Sequence, residues 1–167
     1  GDYDADGVTA TAVLVEALRQ LGARPLFHIP HRAREGYGLS AATVRRLAAQ
    51  GVRLLLTVDC GITANAEVAL AAELGMEVVV TDHHHVPVDL PAARAVLNPR
   101  QPGCRYPFRE LAGVGVAYVL ARALLESALP AVAAERAMEA LLDLVALGTI
   151  ADMVPLVGEN RVLVARG

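Results

Sequence analysis

The sequence predicts an α/β fold, in which a mainly parallel β-sheet has helices on both faces. Two short, continuously apolar runs, at 53–59 and 76–82, are typical of strands that are buried on both faces of a sheet. Segments with helical spacing of apolar residues alternate with such runs, and three of them end at Gly22, Gly51 and Gly75. This alternation is the pattern of a parallel sheet covered by helices.

The elements of the first half follow from local signals. The pattern VTATAVLVEALRQL is helical up to Gly22, and RPLFHIP resembles a strand. Ser40 is a suitable N-cap for the next helix, because its hydroxyl can accept a free backbone N–H. We therefore predict, in chain order, a helix over 8–21, a strand over 24–30, a loop over 31–39 and a helix over 40–50.

The second half repeats the alternation and then becomes helical. Three prolines and Gly103 indicate a loop over 98–111. The predicted elements are strands over 53–59, 76–82 and 93–97, helices over 64–74, 114–127 and 130–147, and a further helix that includes 161–167.

Composition indicates one globular domain. Of 167 residues, 54% are hydrophobic and 20% are charged, which is enough to bury a core. No apolar run reaches the roughly 18 residues that cross a bilayer, so we expect no membrane segment and a cytoplasmic protein. The two cysteines, Cys60 and Cys104, are too few for a disulfide framework. All 15 basic residues are Arg, a bias that also suits phosphate binding.

Six of the eight aspartates lie in four short patches at predicted strand ends or turns. The patches are GDYDADG at 1–7, VDCG at 58–61, TDHHH at 81–85 and GTIADMVPL at 148–156. In parallel sheets, ligands bind beyond the carboxyl ends of the strands. Asp59 and Asp82 both fall at such ends, so residues far apart in sequence can share one site.

Each patch also has a simpler interpretation. Asp4 and Asp6 could cap the following helix, Asp59 could cap the helix after Gly61, and Asp152 could mark a helix end. The three consecutive histidines could form a solvated loop. Four patches, all at ends where sites form, favour a shared metal site over four independent caps.

Carboxylates with imidazole suit Mn²⁺ or Mg²⁺, and the cysteines lack the spacing of a zinc site. Five or more ligands indicate two ions that share a bridging carboxylate. Two ions about 4 Å apart activate a water for attack on a phosphoester or phosphoanhydride.

The four patches resemble the motifs of the DHH phosphoesterase superfamily, and they occur in the family's order. The intervening IPHRAREGYGL, LNPRQPGCRYPF and LAGVGVAYVL are similar to segments of its bacterial 5′→3′ exonucleases specific for single-stranded DNA. The resemblance covers nearly the whole chain.

The resemblance implies a role for each matching residue. The metal ligands would be Asp4, Asp6, Asp59, His83 and Asp152, with Asp59 as the bridge. His84 would meet the scissile phosphate or transfer a proton, and Asp82 would orient the histidine pair. Asp2 either supports the ligands or shapes the turn. Arg32, with His31 beside it, is the candidate phosphate clamp; a solvated loop arginine is the alternative.

We therefore expect a 5′→3′ single-stranded-DNA exonuclease of repair and recombination that uses two divalent cations, Mn²⁺ or Mg²⁺. The alternatives are another DHH hydrolase (an oligoribonuclease, cyclic-dinucleotide phosphodiesterase or pyrophosphatase) and an inactive DHH module that serves as a scaffold. We expect 1–167 to be a single catalytic domain, with a preceding strand and following DHHA1-type and OB-type domains outside it. Single-stranded DNA would be its partner through the full-length protein.

Overall fold

A computed structural model describes residues 1–167 and contains seven helices and three strands. In chain order they are α1 (Ala5–Gln20), α2 (Ala41–Ala49), β1 (Leu54–Val58), α3 (Asn65–Glu73), β2 (Glu77–Thr81), β3 (Ala95–Leu97), α4 (Gly113–Ala128), α5 (Ala131–Glu139), α6 (Leu142–Ala151) and α7 (Gly158–Arg166).

The three strands form one parallel sheet in the order β1-β2-β3. Leu55 pairs with Val78 and Thr57 with Val80, while Val80 also pairs with Val96. The carboxyl ends of all three strands therefore lie at one edge of the sheet. The predicted parallel sheet is confirmed.

Helices cover both faces of this sheet, as the sequence predicts. On one face, Val78 and Val80 pack in a cluster with Val44 of α2 and Val68 of α3. On the other, Val58 belongs to a larger cluster that contains residues of α1, α4, α5, α6 and α7. The site described below lies on the side of the larger cluster.

The predicted strand at 24–30 is wrong, because this segment has no strand beside it. Its one hydrogen bond to the start of the chain runs from the Gly1 ammonium to the His28 carbonyl, over 2.9 Å. Leu26 and Phe27 are 66% and 65% exposed. A groove of about 640 Å³ is lined by residues of this segment and of β1, together with residues of α1, α2 and α4. A strand requires a partner along its length, which apolar pattern alone does not reveal.

Two other expectations need correction. The helix expected at 130–147 is two helices, α5 and α6, separated by a turn at Ala140 and Leu141. Within this turn the Leu141 N–H donates to the Met138 carbonyl. No glycine or proline marks this break. Strand β1 is not buried along its whole length, since Leu54 at its start is 57% exposed.

None of the helices combines the length and the apolar character that crossing a membrane would require.

Candidate metal centre

The four aspartate patches meet at the carboxyl edge of the sheet. Asp59 follows β1, and Asp82 and His83 follow β2. The backbone N–H of Asp2 donates to the carbonyl of Val58 over 3.2 Å, which places the start of the chain at the end of β1. Asp152 ends α6, the helix that packs along α1. Parallel strand ends thus gather residues from four separated segments, as predicted.

Asp59 is at the centre of the cluster. Its side chain is almost fully buried, and its backbone has the positive φ of 58° that asparagine, aspartate and glycine adopt most readily. Its Oδ1 lies 3.2 Å from Nε2 of His83. It caps no helix, because α3 begins at Asn65 after an Ala64 that has no side-chain cap. The simpler interpretation of Asp59 as a helix cap is therefore wrong.

Asp6 reaches the cluster from the first turn of α1. Its Oδ2 accepts the N–H of Gly113 over 2.6 Å, and its Oδ1 accepts the N–H of Val114 over 2.7 Å. Nε2 of His83 lies 3.7 Å from Asp6 Oδ2 and 3.8 Å from Asp152 Oδ2. His83 is thus within 4 Å of three carboxylates.

Asp4 has two roles in the structure. Its Oδ1 caps α1 by accepting the N–H of Gly7 over 2.9 Å, which confirms the capping interpretation for this residue. It also belongs, with Asp2 and Asp59, to a set of ligand atoms that lie within 4.8 Å of one another.

Two further sets at the same spacing complete the cluster: Asp6 with His83 and Asp152, and Asp59 with His83 and His84. Asp59 occurs in two of the three sets, as a bridging ligand would. All five residues predicted as metal ligands are brought together, and Asp2 joins them.

Asp82 positions the histidine motif and lies outside these sets. Its Oδ1 accepts the N–H groups of His83 and His84 and contacts Nδ1 of His84 at 2.7 Å. Its Oδ2 accepts the N–H of Ile62 over 2.9 Å. The carboxylate therefore orients the ring of His84 and the backbone of His83, but it does not touch the His83 ring.

Burial dominates the electrostatics of the centre. Burial, together with neighbouring Asp59, raises the pKa of Asp6 to about 7. Burial also raises the pKa of Asp59 and Asp152. The pKa of His83 is raised although burial opposes this, because Asp59 and its neighbours favour the imidazolium. The hydrogen bond that the His84 ring donates to Asp82 raises the pKa of His84 to about 9. Without a cation, the raised pKa values of the buried carboxyl groups favour their protonated forms, which lowers the negative charge of the centre.

The residues predicted to bind the substrate, Arg32 and His31, lie less close to the candidate metal ligands than these ligands lie to one another. The Arg32 guanidinium lies 5.3 Å from the centre of the ring of Tyr3, the residue between Asp2 and Asp4 in the sequence. The His31 side chain is exposed and makes no hydrogen bond or ion pair, so the structure does not bring it into the cluster.

Sequence reasoning missed two groups. Tyr37 places its hydroxyl 3.4 Å from Nδ1 of His84 and its ring edge-on to Tyr3. Gly113 and Val114 hold Asp6 from the start of α4. Both donors are backbone N–H groups, so the residue types at these positions do not identify them as partners of Asp6.

The residues present fit divalent cations. Asp59 Oδ1 and both ring nitrogens of His83 are buried and have no hydrogen-bond partner. Such atoms are costly unless a cation or solvent satisfies them. A set of carboxylates with one or two imidazoles, and no thiolate, suits Mn²⁺ or Mg²⁺.

The DHH resemblance implies a cluster of carboxylates and imidazoles at the carboxyl edge of a parallel sheet. It also implies that four motifs, in a fixed order, supply these groups. Residues 1–149 match the family model described as "DHH family, N-terminal domain", and the chain belongs to that family.

Relatives within the family carry a more specific name. The chain is 51% identical over 167 residues to the single-stranded-DNA-specific exonuclease RecJ of Bacillus subtilis (strain 168), and 46% identical over 169 residues to that of Thermus thermophilus. Both alignments cover all of this chain, but only 20% and 24% of those proteins.

Two solved structures have the same fold. One, the crystal structure of exonuclease RecJ bound to manganese, matches with a TM-score of 0.87 and 44% identity, over 100% of this chain and 41% of the other. The second, RecJ in complex with Mn²⁺ from Thermus thermophilus, matches with a TM-score of 0.81 and 41% identity, over 100% of this chain and 23% of the other.

Proposed function

We propose that the protein containing this chain is a metal-dependent exonuclease that hydrolyses single-stranded DNA from its 5′ end, in the cytoplasm, during repair and recombination. The observation that carries the proposal is the convergence of Asp6, Asp59, His83 and Asp152, with buried Asp59 and His83 atoms that make no hydrogen bond. The names of the relatives, and the manganese bound in the two matching structures, support the same substrate and metal.

The spacing of the side chains suggests how two Mn²⁺ or Mg²⁺ ions would be held. Asp6, His83 and Asp152 would hold one ion, and Asp4 would hold the other with Asp2 close by. Asp59 lies within reach of both sets and would be the shared ligand. Two such ions, when bound, supply the positive charge that activates a water and offsets the charge of the phosphodiester.

The remaining candidate residues would bind the substrate, as proposed for His84 and Arg32, or position such a residue, as Asp82 does for His84. Asp82 occupies Nδ1 of His84 and leaves Nε2 without a partner in the chain. Because the pKa of His84 is about 9, the ring carries a proton at neutral pH and can donate it toward a phosphate oxygen. Arg32 would bind a phosphate with its planar guanidinium, which matches phosphate oxygens better than an ammonium does.

The test uses full-length protein with single-stranded DNA labelled at one end. A 5′ label should appear in the smallest products from the earliest times, whereas a 3′ label should pass through progressively shorter strands. Activity should require Mn²⁺ or Mg²⁺, prefer single-stranded over duplex DNA, and disappear in Asp59→Asn. Hydrolysis of pyrophosphate, short oligoribonucleotides or cyclic dinucleotides in preference to DNA would instead identify another DHH hydrolase. Wild-type protein that binds no divalent cation would indicate an inactive scaffold.

A further inference from the structure

Helix α4 has no capping side chain of its own. Its N-cap residue is Ala112, which cannot accept a hydrogen bond through its side chain, and the first N–H groups of any helix lack partners within the helix. Two of them are satisfied by Asp6, which lies 107 residues earlier in the chain than Gly113. Both carboxylate oxygens are engaged, one by each N–H, so the plane of the Asp6 carboxylate is fixed by the start of α4.

Gly113 also touches the second buried carboxylate of the centre. A Cβ built on Gly113 would overlap Oδ1 of Asp59 and lie 2.7 Å from its Cγ. Gly113 is helical and has no positive φ, so its backbone conformation does not require glycine. Glycine weakens a helix relative to alanine, and the feature that explains it here is the space it leaves for Asp59.

We propose that the amino end of α4 positions the metal centre, with Gly113 and Val114 as positioning residues that set where Asp6 and Asp59 present their oxygens to a divalent cation. This inference rests on the cation site of the proposed function. The two N–H groups orient Asp6, and the bare Cα of Gly113 lets the helix approach Asp59 at the same point. Groups that orient metal ligands in this way typically change metal affinity by about 10–100-fold when they are altered.

Gly115 provides a matched control on the same helix. The three atoms nearest to a Cβ on Gly115 would all belong to the side chain of Leu111, the closest at 3.0 Å, and none to a candidate metal ligand. Both glycines lie in the first turn of α4, so replacement by alanine has a similar effect on helix propensity, and the two variants differ mainly in what the added methyl group contacts.

Mn²⁺ binding to metal-free, full-length protein is measured by calorimetry, and folding is checked by circular dichroism without metal. We expect Gly113→Ala to keep the helical spectrum and to lose at least about tenfold in Mn²⁺ affinity. Gly115→Ala should stay within about twofold of wild type. Equal losses in both variants, or full affinity in Gly113→Ala, would overturn the proposal.

A second variant adds no bulk and so guards against a folding failure. Incorporating α-hydroxyisovaleric acid at position 114 replaces the Val114 N–H by an ester oxygen and keeps the side chain. This N–H bonds to Asp6 rather than within the helix, so the fold should be preserved. We expect a clear loss of Mn²⁺ affinity; unchanged affinity refutes the proposal, whatever Gly113→Ala does. If wild-type protein binds no Mn²⁺, the metal centre itself is refuted, which separates the two failures.

Discussion

Nε2 of His83 lies 3.2 Å from Oδ1 of Asp59, and neither atom has a hydrogen-bond partner. Both side chains are almost completely buried. A buried polar atom left unsatisfied costs about 1–3 kcal/mol, so an uncompensated pair of them would weaken the fold. The proposed metal centre would account for the pair, because both atoms would then bind one cation.

Asp59→Asn tests this explanation without disturbing the backbone. Asparagine adopts a positive φ nearly as readily as aspartate, so the conformation at φ 58° is retained. Loss of a shared charged ligand should lower Mn²⁺ affinity and DNA hydrolysis by more than about a hundredfold, beyond what altering a merely supporting residue costs. The measurements are Mn²⁺ calorimetry and turnover on labelled DNA.

Asp89→Asn is the control for Asp59→Asn, because the Asp89 side chain is exposed and makes no hydrogen bond. It should leave both quantities unchanged. Turnover of Asp59→Asn above about a hundredth of wild type would argue against the shared-ligand role.

Asp82→Asn should lower both stability and turnover. The carboxylate accepts hydrogen bonds from Ile62, His83 and His84, and an amide nitrogen in its place would face one of these N–H groups. An unsatisfied buried donor costs about 1–3 kcal/mol. The pKa of His84 should also fall, because the hydrogen bond to Asp82 is the main cause of its rise.

Thermal unfolding and the pH dependence of kcat measure the two effects of Asp82→Asn. If the melting temperature falls but the pH profile of kcat does not move, Asp82 serves the fold alone.

The convergence of the site could be predicted from sequence for a definite reason. Asp59 and Asp82 close apolar runs, and parallel strands bring their carboxyl ends to one edge. Two strand ends and a motif at the start of α1 were therefore enough to predict where the site lies, but Asp152, at the end of α6, was included because its patch occurs with the others. The family resemblance then suggested the role of each residue.

Other features have no signal in the local pattern. The bonds from Gly113 and Val114 to Asp6 join segments more than a hundred residues apart, and backbone donors leave no mark on residue identity. The segment 24–30 has the composition of a strand, but strand formation depends on a neighbour that composition does not specify. The contact of Tyr37 with His84 likewise depends on how the loop at 31–39 folds back.

Arg32→Ala should mainly weaken substrate binding. The guanidinium lies over the ring of Tyr3, which stands between Asp2 and Asp4 in the sequence, and a cationic side chain without an acceptor atom does not ligate a divalent cation. We expect KM for single-stranded DNA to rise by about tenfold or more, as the loss of a charge-assisted bond of about 1.5–3 kcal/mol implies, with Mn²⁺ affinity unchanged.

Arg34→Ala is the matched control, since Arg34 is an exposed arginine of the same loop. It should change KM little. Equal effects of the two substitutions would show that the loop contributes only general positive charge, and an unchanged KM in Arg32→Ala would remove this residue from the site.

The metal-free protein should become less stable as pH rises from about 6 to about 9. Asp6 has an ordinary pKa of 3.8 and a folded pKa of about 7, so the folded state retains a proton that the unfolded chain releases. Its contribution to stability is complete below pH 3.8 and is lost as pH rises through about 7. His84, raised from 6.5 to about 9, acts in the same direction over a higher range.

Mn²⁺ should reverse this trend, because the cation replaces protons at the carboxylates and its affinity rises as they ionise. Melting temperatures of full-length protein, measured across this range with chelator and with Mn²⁺, test both statements. The stabilisation by Mn²⁺ should be larger at about pH 8 than at about pH 6. Asp6→Asn should flatten the lower part of the metal-free profile, since the titrating group is gone, while the upper part that belongs to His84 remains. A metal-free melting temperature that does not fall over the same interval would contradict the prediction, because the folded protein would then retain no more protons than the unfolded chain.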